Sequence, residues 1–206
     1  MKNYIRILIF SLMILSCNRD KTNTYSADYY YVQGLSLYQN ENYKEALINI
    51  DKAIALDSAV SDYYLNRGVI KELVYNDLSS ALIDYEKAIE LDDKNAVAYY
   101  NIGCILSDVG NDQAALEFFE KAIEIYPNYY PAYFNYACSQ FKVKNYDEAL
   151  KNFKIAADYD ENAKINALYY IGLVYKEKGE PENAKKYFEE VAEAGYEDAK
   201  KELLPK

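Results

Sequence analysis

The sequence predicts an all-α chain of five repeated helix pairs followed by a short closing helix. The first observation behind this is a ladder of small residues, Gly34, Gly68, Gly103, Ala137 and Gly172, spaced 34 or 35 positions apart. The second is that three more ladders keep the same step: Ala46, Ala81, Ala115, Ala149, Ala184; then Ile50, Tyr85, Phe119, Phe153, Phe188; then Ala53, Ala88, Ala122, Ala156, Val191. Four ladders in one register mean that a whole supersecondary unit repeats, not a single motif. The third is the scarcity of strand signals. Seven glycines and four prolines in 206 residues, with no strictly alternating apolar stretch, leave little from which to build a sandwich or barrel.

The chain opens with a different kind of segment. Lys2 and Arg6 precede the apolar run Ile7 to Leu15, which ends at Ser16 and Cys17. A bilayer-spanning helix needs roughly twenty apolar residues, so this run is too short and has instead the layout of an export signal over residues 1–16. The junction Ile14-Leu15-Ser16-Cys17 resembles the lipobox of bacterial lipoproteins. That resemblance implies lipidation of the Cys17 sulfur, cleavage just before it, and a place in the bacterial cell envelope, facing the periplasm or the cell surface. Leu15 is bulkier than that family prefers. Each buried methylene adds about 0.8 kcal/mol, so several acyl chains hold where one does not. Residues 17–26 are polar and aperiodic and read as the lipidated cysteine followed by a tether. Loss of Lys2 and Arg6 with the signal takes the net charge from −10 to −12, so the body is expected to stand off anionic lipid.

The repeats then follow as units 27–60, 61–95, 96–129, 130–163 and 165–198. Each splits into two amphipathic helices around a polar turn: Asn42-Tyr43, Asn76-Asp77, Asn111-Asp112, Asn145-Tyr146 and Glu180-Pro181. Asparagine and aspartate bond local backbone amides, and proline suits a first helical turn. The small residues let two backbones approach while the aromatic ladder fills the space beside them. The second unit carries one extra residue, expected in the turn around residues 74–79, and another falls near Lys164. Gly195 then marks a helix stop, residues 196–204 a capping helix, and Pro205 its end.

In Tyr99-Tyr100-Asn101-Ile102-Gly103, Ala115, Phe119, Ala122 and Pro127 the third unit resembles the tetratricopeptide repeat, and the other four units share its register. The resemblance implies a right-handed α-solenoid of five helix-turn-helix repeats with a C-terminal capping helix. It also implies a concave groove lined by the first helices at their fifth, ninth and twelfth positions. The fifth and ninth positions carry Tyr31, Leu35, Leu65, Val69, Tyr100, Cys104, Phe134, Cys138, Tyr169 and Leu173, and the twelfth include Tyr38 and Phe141, twelve apolar and aromatic residues in all. An exposed apolar patch on a concave face marks an interaction site. The fourth-position tyrosines Tyr30, Tyr64, Tyr99 and Tyr133 are expected to be core instead. The carboxylate clamp of some family members is incomplete here. Asn66, Asn101 and Asn135 are in place, but its lysine positions hold Tyr31, Leu65 and Tyr100.

Composition narrows the function further. There is no histidine and only three cysteines, without a CxxC pair, which disfavours most acid–base, zinc and dithiol chemistry. Cys104 and Cys138 share one position in neighbouring repeats, yet helix axes about 8–10 Å apart exceed the roughly 7 Å limit on Cα separation for a disulfide. The carboxylates Glu189, Glu190, Glu193, Glu197 and Asp198 match no calcium-loop spacing. The negative charge makes nucleic acid a poor partner. The expectation is a non-enzymatic adaptor with no metal or cofactor, taking a protein or peptide partner and touching membrane only through its lipid. The alternative is a self-associating, homo-oligomeric spacer.

Overall fold

Among the residues that the computed structural model describes, 25–159 and 161–204, every regular element is an α-helix. The export signal, Cys17, the tether up to residue 24 and Pro205 lie outside the described residues. Five helix pairs follow one another. They are α1 (Ala27–Gln39) with α2 (Tyr43–Leu56), α3 (Ser61–Tyr75) with α4 (Leu78–Leu91), and α5 (Ala96–Asp108) with α6 (Asp112–Ile125). After them come α7 (Tyr130–Lys142) with α8 (Tyr146–Ala156), α9 (Glu161–Glu177) with α10 (Pro181–Glu193), and a final short helix α11 (Glu197–Glu202).

The turn inside each pair passes through one left-handed residue: Glu41 (φ 62°), Asn76 (51°), Gly110 (83°), Lys144 (65°) and Gly179 (76°). Each lies five residues before its ladder alanine. Behind it the spacing to the ladder glycine or alanine is seven, except in the second pair, where it is eight. The extra residue therefore sits in the last turn of α3. There the Asp77 amide donates to the Lys71 carbonyl six residues back, whereas the amides of Asn42, Asn111, Asn145 and Glu180 each reach back five. A widened final turn absorbs the insertion, so α4 starts in register. Asp77 and Asn111 cap their helices through side-chain oxygens that accept from the Ser80 and Ala114 amides.

The chain divides into two compact units, residues 1–102 and 103–206. In the first, α1, α2 and α3 close on Ala46, Ile50 and Ala53, all without exposed surface, together with Tyr63 and Ile70. A buried charge cluster in it centres on Asp84, which takes a two-pronged bond from Arg67 (2.7 and 3.0 Å) and an ion pair from Lys71 (2.7 Å). Arg67 also reaches Asp51 at 2.7 Å. Nearby, the Tyr85 hydroxyl donates to the Glu72 carboxylate at 2.7 Å. Such a cluster holds register between α3, α4 and α2, and removing one partner leaves a buried charge uncompensated.

In the second unit the small-residue ladder shows its steric purpose. A Cβ on Gly103 would lie 2.7 Å from a ring carbon of Phe119, and one on Gly172 would lie 2.6 Å from Phe188. Helices α7, α8 and α9 close on Ala137, Ala149, Phe153, Ala167, Ile171 and Val174. Helices α10 and α11 add Ala184, Phe188, Val191 and Ala199.

Candidate interaction face

Six of the twelve groove positions are core. Tyr31, Leu35, Leu65, Val69, Tyr100 and Cys104 are all buried, the last four at 2% exposure or less. The expectation that these six face outward is corrected by that burial, and the assignment of the fourth positions to the core holds at Tyr64, which is buried, but not at the other three. Tyr30, Tyr99 and Tyr133 are only half-buried, while the fifth-position neighbours Tyr31 and Tyr100 are closed off. The cause is contact with the next repeat. The Asn66 side-chain amide donates to the Tyr31 hydroxyl at 2.6 Å, and the Tyr63 ring lies 4.7 Å from that of Tyr31.

The asparagines at the sixth position are buried too. Asn66 spends its amino group on Tyr31 and on the Asp62 carbonyl (2.9 Å). Its Oδ1 is left without a partner, and at Asn101 neither side-chain atom has one; the residue that corresponds there to Tyr31 is Leu65, which has no hydroxyl. Asn135 donates to the Cys104 sulfur at 3.2 Å. In the fifth repeat the position carries Tyr170, whose ring meets Phe134 edge-on at 5.3 Å. At Tyr31 with Asn66 and at Phe134 with Tyr170, the fifth position of one repeat thus meets the sixth of the next, while Asn135 meets the ninth-position Cys104.

The remaining six positions keep accessible surface: Tyr38 in the first unit, and Phe134, Cys138, Phe141, Tyr169 and Leu173 in the second. The five in the second unit sit on α7 and α9, helices in contact with each other, and make up the candidate apolar face: Phe134, Cys138 and Phe141 border the core between α7, α8 and α9, and Tyr169 and Leu173 border that of α10 and α11. Phe134 packs on Phe153 and Tyr170 at 5.5 and 5.3 Å, and Phe141 on Tyr146 at 6.0 Å, which leaves the rings few alternative positions. Cys138 carries no disulfide, and neither does Cys104. Burial pushes the Cys138 thiol up to about 12, so it acts as an apolar side chain and not as a nucleophile.

A polar network pins one end of this face. Lys142 lies 2.9 Å from both the Asp112 carboxylate and the Ser107 hydroxyl, Ser107 donates to Asp112 at 2.8 Å, and Ser139 to Asp112 at 3.2 Å. It ties the C-terminal end of α7 to the α5–α6 turn and so holds Phe141 in place. Sequence reading missed it because its four members come from three segments with no shared spacing. Among the described residues no group of three or more histidine, cysteine, aspartate or glutamate side chains could hold a metal ion, and no helix is long and apolar enough to cross a membrane.

Family models described as tetratricopeptide repeat match residues 27–60, 96–129, 118–151 and 166–194. No curated protein sequence matches the chain. Among solved structures, a MamA protein is similar at 24% identity, covering 87% of this chain and 97% of its own, with a TM-score of 0.72. YrrB, a TPR protein with an unusual peptide-binding site, is 25% identical over 82% of this chain and 86% of its own, with a TM-score of 0.71. MamA 41-end from Desulfovibrio magneticus RS-1 is 18% identical over 81% and 93%, with a TM-score of 0.73. These likenesses show the fold class, an all-α array of tetratricopeptide repeats.

Proposed function

The chain belongs to the tetratricopeptide-repeat family, and on that premise we propose that it is a non-catalytic scaffold that captures a peptide or helix of a cell-envelope protein. The observation that carries this reading is the apolar face on α7 and α9, where Phe134, Cys138, Phe141, Tyr169 and Leu173 keep accessible surface on consecutive first helices. Rigid aromatic rings backed by core are the usual anchors of an interface. The peptide-binding site of YrrB supports the reading by analogy of architecture. Its test is a pair of substitutions, Phe134→Ala with Leu173→Ala, in a chain whose helicity is checked by circular dichroism. Partner capture falls while helix content stays; unchanged capture refutes the face.

The anchor belongs to the same proposal. The lipobox-like junction supports lipidation at Cys17, which would tether the scaffold to an envelope membrane by acyl chains alone. Cys17→Ala is expected to release the protein into the soluble fraction, and retention on membranes contradicts the anchor.

Self-association has its own support in the first unit. Ile48 and Ile83 hold the same position on α2 and α4 and are 45% and 65% exposed. Sedimentation across the micromolar range tests it: a concentration-independent monomer rules it out.

A further inference from the structure

The last described segment of the chain lies against the interaction face. The Tyr196 ring sits 4.9 Å from that of Tyr169, and Leu203 packs on the Phe188, Val191 and Ala199 cluster that Leu173 also borders. Lys176 of α9 pairs with Glu202 of α11. Two of the five accessible positions on the face, Tyr169 and Leu173, are therefore bordered by the chain's own C-terminal segment.

That segment is held lightly. Helix α11 has six residues, well under the roughly 12–15 at which an isolated helix becomes even marginal in water. Its outward side chains pair only locally, Lys200 with Glu197 and Lys201 with Asp198. It joins α10 through Gly195, which at φ 92° ends that helix with the Tyr196 amide bonded to the Val191 carbonyl, so α11 starts as a separate element. What docks it is one apolar stripe, Tyr196, the fully buried Ala199 and the half-buried Leu203, together with the Glu202 pair to Lys176. The three apolar residues fall at i, i+3 and i+7, the spacing by which a short helix seats in a groove. Ala199 is as fully buried as Ala132 of α7 and Ala167 of α9.

We infer that residues 196–204 are a displaceable strap over the α9 end of the face, and that the partner is a helix of the strap's own pattern, with an aromatic, an alanine three residues on and a leucine seven residues on. The inference rests on the reading of the α7 and α9 face as an interaction surface and names both its ligand class and its control. Partner and strap compete for Tyr169 and Leu173, so apparent affinity is reduced by the fraction of molecules with the strap closed.

The test uses the full chain and a fluorescent peptide with the sequence of residues 195–204. Anisotropy is expected to show about tenfold tighter binding to the Tyr196→Ala, Leu203→Ala chain than to the unaltered one, since weakening the strap raises the open fraction. Adding Tyr169→Ala should abolish the gain. Equal binding to the unaltered and strap-weakened chains, or no binding to either, overturns the inference. A second measurement needs no variant. Amide exchange of the unaltered chain should be much faster across α11 than across α10, because a strap opens locally. Protection of α11 equal to that of α10 also overturns it. Neither readout uses a cellular partner, so loss of partner capture and loss of the strap remain separate results.

Discussion

Asn66 and Asn101 occupy one repeat position and differ in one neighbour. The Tyr31 hydroxyl accepts from the Asn66 amino group and leaves only the Asn66 Oδ1 buried without a partner, while at Asn101, where the residue corresponding to Tyr31 is Leu65, both polar atoms are buried without one. A buried polar group costs about 1–3 kcal/mol when unsatisfied, so the two should respond oppositely to the same change. Asn66→Leu is expected to lower the unfolding free energy by about 1–2 kcal/mol, because it strips Tyr31 of its donor. Asn101→Leu is expected to leave it unchanged or raise it by about 1 kcal/mol, within what packing allows. Urea denaturation of the two variants decides this; equal losses contradict the pairing. Gly172→Ala belongs to the same scale. Its Cβ would press on the Phe188 ring, and a cost of about 1–3 kcal/mol is expected.

At the scale of elements, the turns and the register carry the account. Glu41 and Lys144 stand in left-handed conformations where the third and fifth pairs use Gly110 and Gly179. A non-glycine residue there costs roughly 1–2 kcal/mol, partly offset by the chain entropy that glycine adds to the unfolded state. Glu41→Gly and Lys144→Gly should each raise the denaturation midpoint, by about 0.5–1 kcal/mol in stability. A fall in either midpoint contradicts the turn geometry. Helix positions and the repeat register were legible because Gly103 and Ala115 answer a local demand, the close approach of two helices in one pair. The facing of Tyr30 against Tyr31, or Tyr99 against Tyr100, was not. Adjacent positions are both aromatic, so periodicity does not separate them, and the choice is made by what the following repeat brings. The α3 insertion was legible as a count but not as a wider last turn, which depends on the Asp77 to Lys71 bond.

For the whole molecule, the tyrosines set the behaviour at high pH. Burial, with nearby carboxylates adding to it, raises the hydroxyls of Tyr31 and Tyr63 well above their ordinary value, and burial does the same at Tyr129. Their folded pKa exceeds the unfolded one, near 10. The stability they contribute is therefore complete below pH 10 and is lost as pH climbs toward their folded values. Ultraviolet titration should resolve an early tyrosinate population and a late one that appears together with the loss of helical circular dichroism. A single transition of all 25 tyrosines in a still-helical chain contradicts this.

The candidate face was half legible. Its positions followed from the repeat register, but its extent did not, because residues such as Leu65 and Val69 are closed by packing that no spacing reveals. What remains open on α7 and α9 is the surface on which the proposed function stands. Site-specific photocrosslinking in cells checks it, with the probe placed at Phe134, at Leu173 and, as an exposed control off both candidate surfaces, at Leu56. A discrete protein adduct is expected from Phe134 and Leu173 and none from Leu56. Adducts from Leu56 alone, or from none of the three, refute the face.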